Sequence, residues 1–196
     1  MKGTLRENQG GLFSGNGYDQ EVLLRHVEQH QLFNLRTSPE AYARLSDEKN
    51  ITLLADLKIF TEHETLARQQ LLQEAYVIDI QIEANTLLYM LRTGVAPVCA
   101  RALAETLPPE ELTSTSNFLY KQRRISHMTL LREIDTLAAA IDGFPSSSSA
   151  VAQADYALAK LLPSLHSASK QADTLENLVD FRLWPYPSLD RVLHRR

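Results

Sequence analysis

Cysteine is almost absent: Cys99 stands alone in 196 residues. No intrachain disulfide can form, and a reducing, cytoplasmic setting is expected. Glycine is nearly confined to the start, with five of the seven in residues 1–20. Neither sign of charge dominates. The 20 basic and 24 acidic residues leave a net charge of −4, so the strong field of a nucleic-acid or acidic-membrane binder is not expected. The opening MKGTLRENQGG has no apolar run, so no secretory leader is expected. No unbroken apolar stretch approaches the roughly 20 residues that cross a bilayer. Phosphate-loop, dinucleotide-loop and G-x-S-x-G patterns are missing, which leaves nucleotide binding and acyl transfer unsupported. The apolar fraction of 44% is ordinary for a globular chain, and this length buries roughly 70% of its unfolded surface.

What is present is a long run without Gly or Pro, between Thr61 and Arg92. It can hold one helix of about 33 residues, roughly 50 Å long. Thr61 followed by Glu64 is a capping box for its start. Gly94 fits a left-handed helix end, and Pro97 the first turn of a following helix. At 100° per residue, Leu72, Tyr76, Ile80, Ala84, Leu87 and Leu91 form one apolar stripe, while Leu71, Ala75, Ile78 and Ile82 form a second. Gln70, Glu74, Gln81, Asn85 and Arg92 mark the wet face. A helix apolar on two sides is expected between neighbours, at the centre of a bundle.

Around it the chain reads as helix throughout. Residues 1–20 read as loop, with one short strand around Leu12-Phe13. Short helices follow at 19–32, with no strong cap, from Ser38-Pro39-Glu40, and at 50–58. A segment at 96–106 ends before Pro108-Pro109. A long helix at about 116–142 offers Leu119, Ile125, Leu130, Ile134, Leu137 and Ile141 as partners and stops at Gly143-Phe144-Pro145. Serines 146–149 read as a flexible tract. Helix resumes at 150–161, is broken or restarted at Pro163, and runs to about Val179. The expected fold is mainly α: an antiparallel helical bundle around one long central helix, with an irregular N-terminal arm. Residues 1–58 form that arm with its short helices, and residues 59–196 the bundle and its tail.

Few constellations point to chemistry. Asp79 and Glu83, one turn apart beside Tyr76, could hold a metal or proton. A di-iron bundle also needs Glu-x-x-His, which is absent. The expectation is that Glu83 pairs with an Arg or Lys of a neighbouring segment or subunit. His26 and His30 have zinc-clamp spacing, but Val27 replaces the Glu that must follow the first His, so a solvent-facing pair is expected. Gly10, Gly11, Gly15 and Gly17 read as turn residues of positive φ. Cys99 reads as a packed core thiol. Trp184-Pro185-Tyr186-Pro187 reads as a strap docking its rings on the bundle or a neighbouring subunit.

Three ordered blocks carry a resemblance. T-E-H-E-T-L-A-R from Thr61, Tyr76, I-x-I-E-A-x-T-L at 80–87 and Pro97 resemble the C-terminal helical region of type III glutamine synthetases. Phe13-Ser14-Gly15-Asn16-Gly17-Tyr18 and Asn34-Leu35-Arg36-Thr37-Ser38-Pro39-Glu40-Ala41 resemble elements just after that family's catalytic domain. Leu175-Glu176-Asn177-Leu178-Val179 and Trp184-Pro185-Tyr186-Pro187 resemble its L-E-x-x-V and terminal W-P-x-P. The resemblance implies ligation of glutamate and ammonia with ATP and Mg or Mn, in large oligomers built from hexameric rings. It places the metal-binding glutamates and phosphate-binding arginines on a barrel upstream of the F-N-G-x-G-Y element. No catalytic, metal or cofactor-binding residue therefore carries over to this chain. Asp79, Glu83, Tyr76, Trp184 and Tyr186 are packing or interface candidates, and Gly15, Asn16, Gly17 and Tyr18 a candidate junction loop. Expected partners are further copies of the chain or a synthetase catalytic domain, with no nucleic acid and no membrane. The expected role is assembly without catalysis by this chain alone. The alternatives are one half of a split synthetase and a stand-alone regulatory or scaffold module.

Overall fold

The computed structural model describes residues 16–106, 114–187 and 192–193. The Leu12-Phe13 strand, Gly10, Gly11, Gly15 and Pro108-Pro109 lie outside them. Every regular element among the described residues is helical, so the chain is mainly α. Helices α1 (Gln20–Gln29), α2 (Ser38–Ala43) and α3 (Glu48–Asp56), with a 3₁₀ turn at Arg44–Ser46, precede three long rods. The first rod is α4 (Glu62–Met90), a wide π turn (Leu91–Val95) and α5 (Ala96–Ala104). The second is α6 (Ser114–Asp142). The third is α7 (Ala150–Tyr156), another π turn (Ala157–Leu161) and α8 (Leu162–Glu176).

Local chemistry sets the starts. The Thr61 amide donates to Glu64 Oε2 at 2.8 Å, and the Glu64 amide to Thr61 Oγ1 at 3.3 Å. This is the expected reciprocal box. Helix α1 has a cap after all: the amides of Glu21 and Val22 donate to Asp19 Oδ1 at 3.0 and 3.3 Å. The serine tract is likewise pinned. Ser149 Oγ accepts from the Ala152 amide at 3.3 Å, and Gln153 Nε2 donates to the carbonyls of Ser146 and Ser148 at 3.0 and 3.1 Å.

Gly94 does not end a helix. No described glycine, Gly17 included, has a positive φ. The first rod instead runs unbroken over Glu62–Ala104, 43 residues. The Ala96 amide bonds to the Leu91 carbonyl five residues back, and Pro97 follows at once. The third rod repeats the device: the Leu162 amide bonds to Ala157 O, and Pro163 follows. A proline inside a helix has no N–H to donate and its ring presses on the carbonyl four residues back. A π turn just before it shifts the hydrogen-bond register by one residue, and both rods continue.

The core lies between the rods. Leu91, Leu130, Leu137, Leu161 and Leu175 are wholly buried, joined by Ile80, Ala84, Val95, Cys99, Ile134, Ala157 and Ala168. The second and third rods run antiparallel: Tyr156 Oη donates to Ala140 O at 2.9 Å, and Gln171 Nε2 to Ser126 O at 2.9 Å. Arg123 Nε donates to Leu178 O in the same ladder. Two expectations fail here. Leu119 and Ile125 do not join the core and are 41% and 62% exposed. Nor is α4 covered on both apolar sides: the stripe through Tyr76, Ile80, Ala84, Leu87 and Leu91 packs, while Leu71, Ala75, Ile78 and Ile82 face outward.

The unbroken first rod also changes one sequence expectation. An 18-residue window within it reaches a mean hydropathy of 1.2, enough by length and composition to cross a bilayer. One side of the rod is nevertheless taken up by the bundle core, where Ile80, Ala84, Leu91, Val95 and Cys99 are buried, and Asp79, Glu83 and Arg92 lie on its exposed remainder, which hydrocarbon would tolerate poorly.

Candidate functional site

Asp79 and Glu83 are both exposed on α4. Neither forms an ion pair among the described residues. Among the described residues, Glu83 therefore does not pair with a basic residue of a neighbouring segment. Its charge is felt by Tyr76, whose hydroxyl is raised above its ordinary pKa first by burial and then by Glu83. Among the described residues, no three His, Cys, Asp or Glu side chains come together as a metal site. The donor set a ligase metal requires, several carboxylates converging on the ion, is not assembled here, and these residues do not fit such a group.

The histidines are placed differently from expectation. His26 and His30 are half-buried, their ring centroids 4.5 Å apart and tilted by 54°. His127 on α6 is half-buried with Nδ1 enclosed and lacking a hydrogen-bond partner. Burial lowers its pKa below the ordinary value, because the protonated ring loses its hydration. Cys99 is 2% exposed, and burial pushes its thiol up to about 11. It is a packed thiol rather than a nucleophile.

The junction loop and the tail have definite seats. Asn16 Oδ1 accepts from the Tyr18 amide at 3.1 Å and Asn16 O from the Asp19 amide at 3.1 Å, a turn that leads into α1. The Tyr18 ring itself is 97% exposed. At the other end of the chain, Trp184 and Tyr186 pack against the core cluster. Tyr186 Oη donates to Met90 O at 3.1 Å. It can do so because Gly94 has no side chain: a Cβ there would stand 2.6 Å from that hydroxyl.

The feature that sequence reading placed wrongly is the outward side of α4. Leu71, Ala75, Ile78, Ile82, Asn85 and Tyr89 follow alternating spacings of four and three along the helix. Leu71, Ile78, Ile82 and Tyr89 are 63%, 53%, 59% and 67% exposed. This is the spacing with which one helix packs against another. Its N-terminal end opens on a groove of about 430 Å³ lined by Leu54, Phe60, Arg68, Leu71 and Leu72 among others, where Arg68 lies 4.1 Å over the Phe60 ring.

A helical chain with blocks at these spacings matches a known family model: "Glutamine synthetase C-terminal domain" over residues 1–108. The chain belongs to this family. A type-3 glutamine synthetase of Dictyostelium discoideum is 28% identical over 213 residues, covering 100% of this chain and 28% of that protein. Glutamine synthetases of Butyrivibrio fibrisolvens and Bacteroides fragilis are each 24% identical, covering 98% and 92% of this chain and 29% and 26% of theirs. This glutamine synthetase C-terminal domain thus spans less than a third of the length of the curated relatives it matches. The family model takes in the long helix, the π turn and Cys99 but not α6 to α8, which the similarity to the full-length relatives covers.

Proposed function

We propose that this chain is the C-terminal helical domain of a type III glutamine synthetase, that alone it does not catalyse, and that it serves assembly. The observation that carries the reading is the outward seam of α4. An exposed apolar row more than 15 residues long is a binding surface awaiting a helix or a neighbouring domain. On the other side of the same rod, Tyr186 is seated at Met90 and Gly94, beside the π turn. The natural partners are further copies of the chain or the catalytic barrel of the same enzyme in the cytoplasm, with no nucleic acid and no membrane. ATP and Mg or Mn belong to that barrel.

The test is a γ-glutamyl transfer assay on the purified chain with ATP and Mg or Mn, alone and with a separately produced catalytic domain of a relative. No turnover alone, with co-elution of the two proteins, is expected. Turnover by the chain alone would overturn the non-catalytic claim. Restored activity in the mixture would instead identify a split enzyme. Failure to bind either a copy of itself or the catalytic domain would favour the scaffold alternative.

A further inference from the structure

The proposed assembly role leaves open what lies on the α4 seam, and the second rod supplies an answer. Helix α6 has its own outward row. Phe118, Lys121, Ile125, Met128 and Arg132 alternate by three and four residues, each on the side away from buried Leu130, Ile134 and Leu137. Phe118, Ile125 and Met128 are 61%, 62% and 50% exposed. Between these side chains runs a trough of about 400 Å³ lined by Lys121, Arg124, Ile125, Met128, Thr129 and Arg132.

Charge distinguishes the two rows. Between Arg68 and Arg92, the bases that bound it, the α4 segment carries three acids, Glu74, Asp79 and Glu83, and no base. From residue 117 to residue 132 the α6 segment carries four bases, Lys121, Arg123, Arg124 and Arg132, and no acid. Arg123 turns inward to the Leu178 carbonyl, and the other three are exposed. None of Asp79, Glu83, Lys121, Arg124 and Arg132 forms an ion pair among the described residues. The lengths match as well. Leu71 to Tyr89 spans about 27 Å and Phe118 to Arg132 about 21 Å at the α-helical rise. Both rows face away from the helices they share a core with, so they cannot meet within one chain.

We infer that the α4 seam of one copy docks on the α6 trough of another, apolar residues interlocked as in a coiled coil and acidic flanks set against basic ones. A self-pairing of α4 would put three acids against three acids, and a self-pairing of α6 would oppose like bases; the mixed pairing avoids both. The contact is head-to-tail, so a docked pair keeps one free α4 face on one copy and one free α6 face on the other. A single helix pair is at the small end of stable interfaces. Association is therefore weak, grows with concentration and weakens with salt.

Sedimentation of the full chain at 10–300 µM, as rough working limits, in low and high NaCl tests this. The expected result is a mass that rises with concentration beyond a dimer in low salt and falls back in high salt. Two variants then separate the faces. Ile78→Lys with Ile82→Lys disables only the α4 seam; Arg124→Glu with Arg132→Glu disables only the α6 trough. All four positions are exposed, so circular dichroism should be unchanged. Each variant alone should be monomeric. Their mixture should give a one-to-one dimer that grows no further, since it joins the one intact face of each kind. Self-association of the α6 variant at the wild-type level, or a mixture that stays monomeric, would overturn the inference. So would a wild-type chain that is monomeric throughout. A monomeric chain that still binds a catalytic domain would sink this contact and leave the assembly role standing.

Discussion

At the scale of single residues, two glycines show how an absent side chain positions a tyrosine. Gly94 leaves room for the Tyr186 hydroxyl at the Met90 carbonyl, and Gly143 for the Tyr156 hydroxyl at the Ala140 carbonyl. Gly94→Ala is expected to cost about 1–3 kcal/mol, the range for overpacking, because its Cβ collides with the Tyr186 ring. Tyr186→Phe should cost about 1 kcal/mol, for one hydrogen bond. In a Tyr186→Ala background the collision is gone. Gly94→Ala then becomes neutral or stabilising by up to about 1 kcal/mol, since alanine favours helix over glycine. A double-mutant cycle by urea denaturation reads that change of sign; equal costs in both backgrounds would contradict the seat. His127 gives a second prediction. Its folded pKa is lowered by burial, so as pH falls below the ordinary value of 6.5 the unfolded chain takes up a proton that the folded chain refuses. Stability should drop through that window and level off below the folded pKa. His127→Gln, which does not titrate, should flatten the slope between pH 7 and 5.

At the scale of elements, helix ends depart from the residues that usually make them. Gln31 and Lys58 sit just past α1 and α3 with φ of 54° each, the left-handed conformation that favours glycine. The Ile59 amide closes the α3 end onto Leu54 O at 3.0 Å. Lys58→Gly should remove the steric cost of that conformation and gain roughly 0.5–1 kcal/mol, read as slower hydrogen exchange at the amides of Ile59 and Phe60. These ends were hard to see in the sequence because neither carries Gly or Asn. The start of α4 was plain, since Thr61 and Glu64 are a local device that needs no tertiary context. The π turns were hidden for the opposite reason. Gly94, Pro97 and Pro163 are strong punctuation in isolation, and only a five-residue turn bonded to Leu91 or Ala157 lets the rods pass through them. The outward seam was visible as an apolar stripe, yet periodicity alone does not say whether such a stripe meets this chain or another.

At the scale of the whole molecule, burial is uneven along the rods, and this predicts where the chain opens first. The buried members of the cluster that ties the three rods together begin on α4 at Ile80, with Tyr76 packed against them, and include Leu130 to Leu137 of α6 and Ala157 to Leu175 of the third rod. From Glu62 to Leu72 the only buried side chain of α4 is Thr65. Its neighbours there are the short α2 and α3, which bury little themselves: only Pro39 in α2 and nothing in α3. A helix segment without apolar burial rests on its own hydrogen bonds and its cap, which in water are barely enough. Native-state hydrogen exchange should therefore show two levels. Amides near Ala84 to Val95, Leu130 to Leu137 and Leu161 to Leu175 should exchange only by global unfolding, with a denaturant slope equal to that of the whole domain. Amides of α2, α3 and the first three turns of α4 should exchange through a smaller opening with a shallow slope. Leu130→Ala, a wholly buried leucine, should lower the first level by about 2–5 kcal/mol and leave the second almost unchanged. If both levels fell together, the short helices and the bundle would be one cooperative unit, and the division drawn from burial would be wrong.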